Sequence, residues 1–357
     1  MMTTDPLKQL RDKIDGVDER IVALLNERAK LCQEVGHVKQ GAAVYRPERE
    51  AQVLRRVRDL NQGPLPHEAL NRFYVELMSA CRGLEAAVSV AYLGPPGTFS
   101  EEAAVKHFGG AIVGVPCNSI DETFQSVESG ESTFGVVPIE NSTEGAVGRT
   151  NDLLFLKPLT ICGEVMLPVH QCLMHKSGRT DGFTKIYSHS QSLAQCRGWL
   201  NAHYQKIERI PVVSNAEAAR LASLDESAAA VAGRIAAQRY ELQIVAANIE
   251  DEQRNVTRFV VIGTKAAGPS GRDRTSLVMA TRNRPGAVHE LLVPLAQNQV
   301  SMTRFESRPA RSGLWEYLFF VDIEGHESDV NVVRALDAMR DKATFVKVLG
   351  SYPIGSE

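Results

Sequence analysis

The sequence predicts a multidomain protein: an all-α helical unit, then an α/β core, then an α+β tail of ferredoxin-like order. Three observations carry this reading. Apolar residues recur at 3-4 spacing over residues 6–39, short β-branched runs alternate with helical patterns from about 89 to 265, and the runs beyond a glycine- and proline-bearing stretch at 263–271 order as βαββαβ. The length of 357 residues agrees, because single cores stop growing near about 250–300 residues. The boundaries drawn from these shifts are 1–88, 89–265 and 274–357.

Bulk properties narrow the function. A net charge of -3, with Lys and Arg spread along the chain, leaves no basic footprint for nucleic acid. No apolar run approaches the about 20 residues of a membrane span, and the first residues lack the charged and apolar regions of a signal peptide. A cytoplasmic protein with no membrane partner is expected. Cys32, Cys81, Cys117, Cys162, Cys172 and Cys196 form no CxxC pair and the histidines no HExxH spacing, so free thiols and no metal are expected.

In the first unit, Leu7, Leu10, Ile14, Val17, Ile21, Leu24, Leu31, Val35 and Val38 make one seam of a long helix. Arg28 occupies the slot between Leu24 and Leu31. A charge there snorkels to the edge, pairs with a carboxylate of the chain, or meets an anionic ligand. Pro47 opens a second helix to residue 60, and a third runs over 66–87. Tyr74, Met78, Cys81 and Glu85 share one face of the third helix, which sets a carboxyl at the end of an apolar stripe.

The α/β segment has strand-like runs at 88–93, 112–115, 134–139, 159–167, 185–187, 207–213, 228–231 and 256–262. Ser119-Ile120-Asp121-Glu122 is a capping box that opens a helix. Gly94-Pro95-Pro96-Gly97-Thr98 lacks the GK[ST] ending of a phosphate loop, so it reads as a strand-to-helix turn. Ligands of open α/β sheets bind beyond strand ends, and polar clusters stand at such places: Glu140-Asn141-Ser142-Thr143, Tyr187-Ser188-His189-Ser190-Gln191 and Asn255-Val256-Thr257-Arg258-Phe259. One such cluster alone would read as a polar turn. The tail places strands at 276–281, 301–306, 315–323 and 344–349 and helices at 288–297 and 330–339. A second Thr-Arg-Phe, at Thr303 to Phe305, reads as structural.

Taken together, AYLGPPGTFSEEAA, VPIENSTEG, YSHSQSLAQC and VTRFVVIG resemble prephenate dehydratase. The helical unit resembles the all-helical chorismate mutase, and the tail resembles an ACT domain. The whole chain is therefore similar to the bifunctional chorismate mutase/prephenate dehydratase family. The resemblance implies a periplasmic-binding-protein-like core of two lobes, its last strand returning to the first lobe and its substrate in the cleft. It assigns chorismate to Arg11, Arg28, Lys39, Arg49, Glu50 and Glu85, and prephenate to Glu140, Asn141, Ser188, Gln195, Thr257 and Arg258. Within these, Thr257 would contact the departing hydroxyl, with Arg258 a lesser electrostatic contributor. The effector L-phenylalanine would bind at Gly286, Ala287, Val288, Glu306, Ser307, Arg308 and Pro309. No cofactor is implied.

The chain departs from the family pattern at Arg46, often acidic, at Cys81, often Ser, at Glu85, often Gln, and at Val288, usually Leu. Glu85 matters most, because a carboxyl donates a hydrogen bond only when protonated whereas an amide always can. Geometry adds one constraint. Arg11 and Arg28 lie 17 positions apart, about 25 Å along a helix at about 1.5 Å per residue, so one small substrate meets both only if a second subunit supplies one. A homodimer or higher homo-oligomer is expected. Rival readings are an arogenate-preferring dehydratase and a non-catalytic amino-acid-sensing module.

Overall fold

The computed structural model describes residues 5–39, 45–282, 284–309 and 317–355. Helix α1 (Pro6–Lys39) is unbroken, and α2 (Pro47–Leu60) starts on its proline with Glu48 and Glu50 facing the positive end of the helix dipole. Helix α3 (His67–Glu85) packs against both. The seam of α1 is uncovered: Ile14 is 58% and Leu24 61% exposed, and no described residue of α1 is buried. A helix with so long an open apolar stripe asks for a covering surface.

The first lobe of the core contains β1 (Ser89–Leu93), α4 (Phe99–Phe108), β2 (Val113–Cys117), α5 (Ile120–Glu128), β3 (Phe134–Asn141), β4 (Gly145–Ala146), α6 (Gly148–Leu156) and β5 (Thr160–Pro168). The second contains β6 (Cys172–His175), β7 (Lys185–His189), α7 (Ser190–Gln195), α8 (Arg197–His203), β8 (Glu208–Val212), α9 (Asn215–Leu224), β9 (Ala228–Ala232), α10 (Arg234–Arg239) and β10 (Gln243–Ala246). The chain then returns as β11 (Val256–Gly263), which completes the first sheet in the order β2-β1-β3-β11-β5. There β1 is parallel to β2 and β3, and β11 is antiparallel to β3 and β5. The second sheet runs β10-β6-β9-β7-β8. Thr98, Ser119 and Ser214 accept from the N–H of Glu101, Glu122 and Glu217, so α4, α5 and α9 begin where their capping signals stand.

Strands β4, β6 and β10 were not anticipated. Cys172-Leu173-Met174-His175 and Gln243-Ile244-Val245-Ala246 are four residues long, and the first is buried on both faces, so neither carries a period to read.

The tail folds as β12 (Asp273–Ala280), α11 (Ala287–Gln297), β13 (Met302–Pro309), β14 (Tyr317–Glu324), α12 (Val330–Arg340) and β15 (Phe345–Pro353). Its antiparallel order β13-β14-β12-β15 is the expected βαββαβ arrangement; Trp315, in the run read as 315–323, lies outside the described residues. Among the described residues no helix is long and apolar enough to cross a membrane.

The three parts are fastened rather than strung together. Tyr45 is buried among Val88, Phe108, Phe134 and Cys162, and its hydroxyl lies 2.5 Å from His107 Nε2. Burial, seconded by Arg82, pushes His107 down to about 3, so the pair is a neutral hydrogen bond. The stretch 263–271, a linker by composition, is packed: Ala267 and Ser270 are buried, and Arg55 donates to the Ser270 carbonyl. On the other side one apolar core joins Ile161, Val260 and Ile262 to Val278, Phe320, Leu349 and Tyr352. Gly350 has φ 151°, and a Cβ there would lie 2.1 Å from the Ile161 carbonyl oxygen, so only glycine lets β15 approach β5 this closely.

Within that junction Arg258 is buried and donates to Glu164 at 2.9 Å, Asp322 at 2.5 Å and the Tyr352 hydroxyl at 2.8 Å. Burial works against the charge of Asp322, but Arg258 and Arg304 outweigh it and hold the carboxyl below its usual range. A folded value below the unfolded one means that this group stabilises above about pH 4 and that the contribution is lost as pH falls through the folded value. Asp322→Asn should therefore cost about 3–5 kcal/mol at neutral pH by leaving Arg258 short of a counter-charge. Thermal unfolding of wild type and variant at neutral pH and below pH 4 checks this; the gap should narrow in acid.

Candidate active sites

The pairing of β3 with β11 sorts the central motif residues onto two faces. Thr257 stands opposite Asn141, and Arg258 stands opposite Glu140. Because successive strand residues point to opposite sides, the two pairs cannot serve one pocket.

On the cleft side, Asn141 Nδ2 donates to Thr257 Oγ1 and to Asn255 Oδ1, each at 2.8 Å. Its Oδ1 accepts from the backbone N–H of Thr143 at 2.9 Å and Glu144 at 3.1 Å. Next to this group lies a cleft of about 400 Å³, bordered by Asn255, Thr143 and Glu144 from the first-lobe side and by Gln191 and Gln195 from the second. Gln191 donates to Glu144 across it. The backbone tie of Val169 N–H to Asn255 O, 2.8 Å, pairs the two chain segments that cross between lobes. A larger cavity, about 600 Å³, lies at the junction of Tyr45, Phe134, Cys162 and the 264–268 segment, away from these residues.

On the other side, Glu140 and Arg258 turn to the tail domain, which corrects their expected place beside Thr257. Glu140 Oε2 lies 3.8 Å from Arg258 and 3.6 Å from Arg304, the middle residue of the second Thr-Arg-Phe. Burial by itself would lower the Arg258 pKa, and Tyr352, Asp322 and Glu164 more than reverse that, so its charge is permanent. Ser188 also departs from expectation: it is 0% exposed and donates to the Val231 carbonyl at 2.7 Å, with Asn215 Oδ1 at 3.0 Å. It holds the second lobe together and does not reach the cleft.

In the helical unit, Arg28 points to α3, where Nη1 lies 3.1 Å from Cys81 Sγ, with Cys32 Sγ of α1 itself 3.8 Å away. Glu85 closes the same space: a Cβ at Gly36 would lie 3.1 Å from its Cγ. Glu50 is paired with Arg82; burial raises its pKa and Arg82 counters. Arg82, which also donates to the Phe108 carbonyl, was missed. It stands on the i, i+4 row of Tyr74 and Met78, the signal that singled out Arg28. Arg49 is exposed, Arg46 is occupied by Glu48 at 2.8 Å, and the Lys39 side chain lies outside the described residues. Arg11 is exposed on the far part of the same straight helix. The structure thus gathers Arg28, Cys81 and Glu85, brings Glu50 near, and leaves Arg11 distant.

In the tail, Gly286 caps α11 at φ 79°, a left-handed turn that glycine adopts freely, ahead of buried Ala287 and half-buried Val288. Glu306 accepts from Asn151 at 3.1 Å and pairs with Arg304, and Arg308 reaches Asp152 at 3.4 Å, while Ser307 and Pro309 are exposed. Among the described residues no hydrogen bond joins 286–288 to 306–309.

Family models match the chain in three stretches: chorismate mutase type II over 10–86, prephenate dehydratase over 90–267 and the ACT domain over 275–341. A bifunctional chorismate mutase/prephenate dehydratase of Neisseria gonorrhoeae is 52% identical over 346 residues, which cover 96% of each chain. This chain belongs to that bifunctional family. Among solved structures, a prephenate dehydratase from Arthrobacter aurescens in complex with L-Phe is 32% identical with a TM-score of 0.68, over 74% of this chain and 90% of that one. GqqA, described as a quorum-quenching acylase, is 29% identical with a TM-score of 0.69, over 75% of this chain and 98% of that one.

The family resemblance and the Gly36 contact converge on Glu85, which supplies a hydrogen-bond donor only while protonated. Glu85→Ala should cut mutase turnover by about 10²-fold or more, the scale of one lost donor, and leave dehydratase turnover unchanged; mutase turnover within a few-fold of wild type would remove Glu85 from the chemistry.

Proposed function

We propose that this protein converts chorismate to phenylpyruvate in two steps at two separate sites, under inhibition by L-phenylalanine. The observation that carries the reading is the Asn141–Thr257–Asn255 cluster beside the cleft, in a chain that matches bifunctional relatives along nearly its whole length. We take 1–88 as mutase, 89–265 as dehydratase and 274–357 as regulatory.

The mutase step is a pericyclic rearrangement that needs a folded dianion and stabilisation of the ether oxygen, not a nucleophile. Arg28 holds one carboxylate, Arg11 of a second subunit the other, Lys39 and Glu85 face the ether oxygen, and Glu50 takes the substrate hydroxyl with Arg49 in support. The exposed seam of α1 favours the dimer, since it would bring a partner helix alongside. Arg11→Ala and Arg28→Ala, each inactive as a mutase, should regain activity when mixed and allowed to exchange subunits. No recovery despite exchange shown by native mass spectrometry would count against a shared site.

In the dehydratase step, the ring carboxylate leaves as carbon dioxide, its bonding pair moves into the ring, and the hydroxyl departs with the carbon–oxygen pair and gains a proton. Aromatisation drives it. Thr257 Oγ1 accepts from Asn141, so its own O–H is left to point at the departing oxygen, and Gln195 orients the substrate from the second lobe. Thr257→Ala should cut phenylpyruvate formation by about 10²-fold or more, the scale of one lost donor, while chorismate consumption continues. Equal loss of both activities in a folded variant would contradict two independent sites.

A further inference from the structure

Asn141 was expected to orient substrate, yet its side chain has nothing left to offer. An amide carries two N–H donors and two acceptor lone pairs. Both Asn141 donors go to Thr257 and Asn255, and its oxygen takes the N–H of Thr143 and Glu144. Those two backbone donors also fix which end of the amide is oxygen, and so require that Asn255 present its own oxygen to Asn141. The Asn255 NH₂ group is therefore turned away from Asn141, and it donates to no described residue. Asn255 is 6% exposed, but it borders the cleft.

From this geometry we propose that Asn255 is a catalytic residue of the dehydratase site, its Nδ2–H donating alongside the Thr257 hydroxyl to the departing oxygen of the substrate. Asn141 is then a positioning residue that aims both donors. The arrangement suits the chemistry. Thr257 is a weak acid, and negative charge builds on the leaving oxygen before it is protonated. A second neutral donor, held rigidly and desolvated, stabilises that charge without a titrating group. The backbone of Asn255 is fixed as well, through its carbonyl bond to Val169 at the interlobe crossing.

The proposal rests on the dehydratase reading, and two variants separate it from a purely structural role. Asn255→Asp keeps an oxygen for Asn141 to donate to and removes both N–H donors; Asn255→Ala removes both functions. Steady-state turnover of prephenate should lose about 10²-fold or more in kcat for both variants at neutral pH. In Asn255→Asp, kcat should recover as pH falls and the carboxyl gains a proton to donate. Mutase activity of the same preparations should stay at the wild-type level and so report folding. The proposal is overturned if Asn255→Asp retains kcat within a few-fold of wild type while only Asn255→Ala is impaired, since Asn255 would then merely anchor Asn141. It is also overturned if the Asp variant changes KM alone, which is the signature of charge repulsion against a dianion. Wild-type protein that leaves prephenate unchanged would defeat the dehydratase reading itself, and this proposal with it.

Discussion

One buried cation organises the larger part of the molecule. Arg258 extends from β11 across the junction between the dehydratase sheet and the tail sheet, meeting Glu164 from β5 and Asp322 from β14. A guanidinium in that setting is costly unless its counter-charges stay in place, so neither sheet can slide without stranding a charge. Ser276 and Tyr352 complete the shell: Ser276 donates to Asp322 at 2.5 Å, and the two hydroxyls lie 2.6 Å apart. The apolar core that continues through the junction supplies bulk adhesion, and Arg258 supplies its register.

That constraint bears on catalysis through the geometry of a single strand. Thr257 and Arg258 are neighbours in β11, one facing the cleft and the other the tail. Their carbonyl and amide groups belong to one peptide unit, so any displacement of the tail that drags Arg258 also turns the backbone carrying Thr257. Glu140 and Asn141 repeat the arrangement on β3, with Glu140 held between Arg258 and Arg304 and Asn141 clamping Thr257. Arg304 in turn pairs with Glu306, whose carboxylate also reaches Asn151 of α6. The Glu306–Pro309 segment and the cleft residues are thus two ends of one polar path, joined by strands whose alternation keeps them on opposite faces.

Much of the fold was legible because its signals are local. The Ser119 capping box, Pro47, the heptad seam and the β-branched runs each act within a few residues, and they placed α5, the helices of the first unit and most strands. What stayed hidden is what depends on pairing. Strands β6 and β10 exist because neighbours in the second sheet complete them, not because their four residues favour extension. The site residues divide the same way. The motif located Thr257, Asn141, Glu140 and Arg258 at strand ends, but only the β3–β11 register assigns them to faces. The resemblance assigned Ser188 to the substrate, whereas β7 directs it into the second lobe, where its hydroxyl donates to the Val231 carbonyl. Arg82 escaped notice although it follows the logic applied to Arg28, a cation on an apolar row.

The mutase unit poses the opposite case, a part that one chain leaves unfinished. The dehydratase and tail domains bury their cores within the chain, whereas α1 keeps its seam in solvent over its whole described length. Among the described residues Arg28 has only sulfur acceptors, Cys32 and Cys81, where a cation in an apolar slot calls for an anion. Both shortfalls have the same physical form, an unmet partner on the same helix. In the proposed dimer the helix that covers the stripe is also the one that carries Arg11 to the anionic substrate held by Arg28, so dimer affinity and mutase competence should rise and fall together. The dehydratase cluster, closed by Asn141 within one chain, carries no such debt.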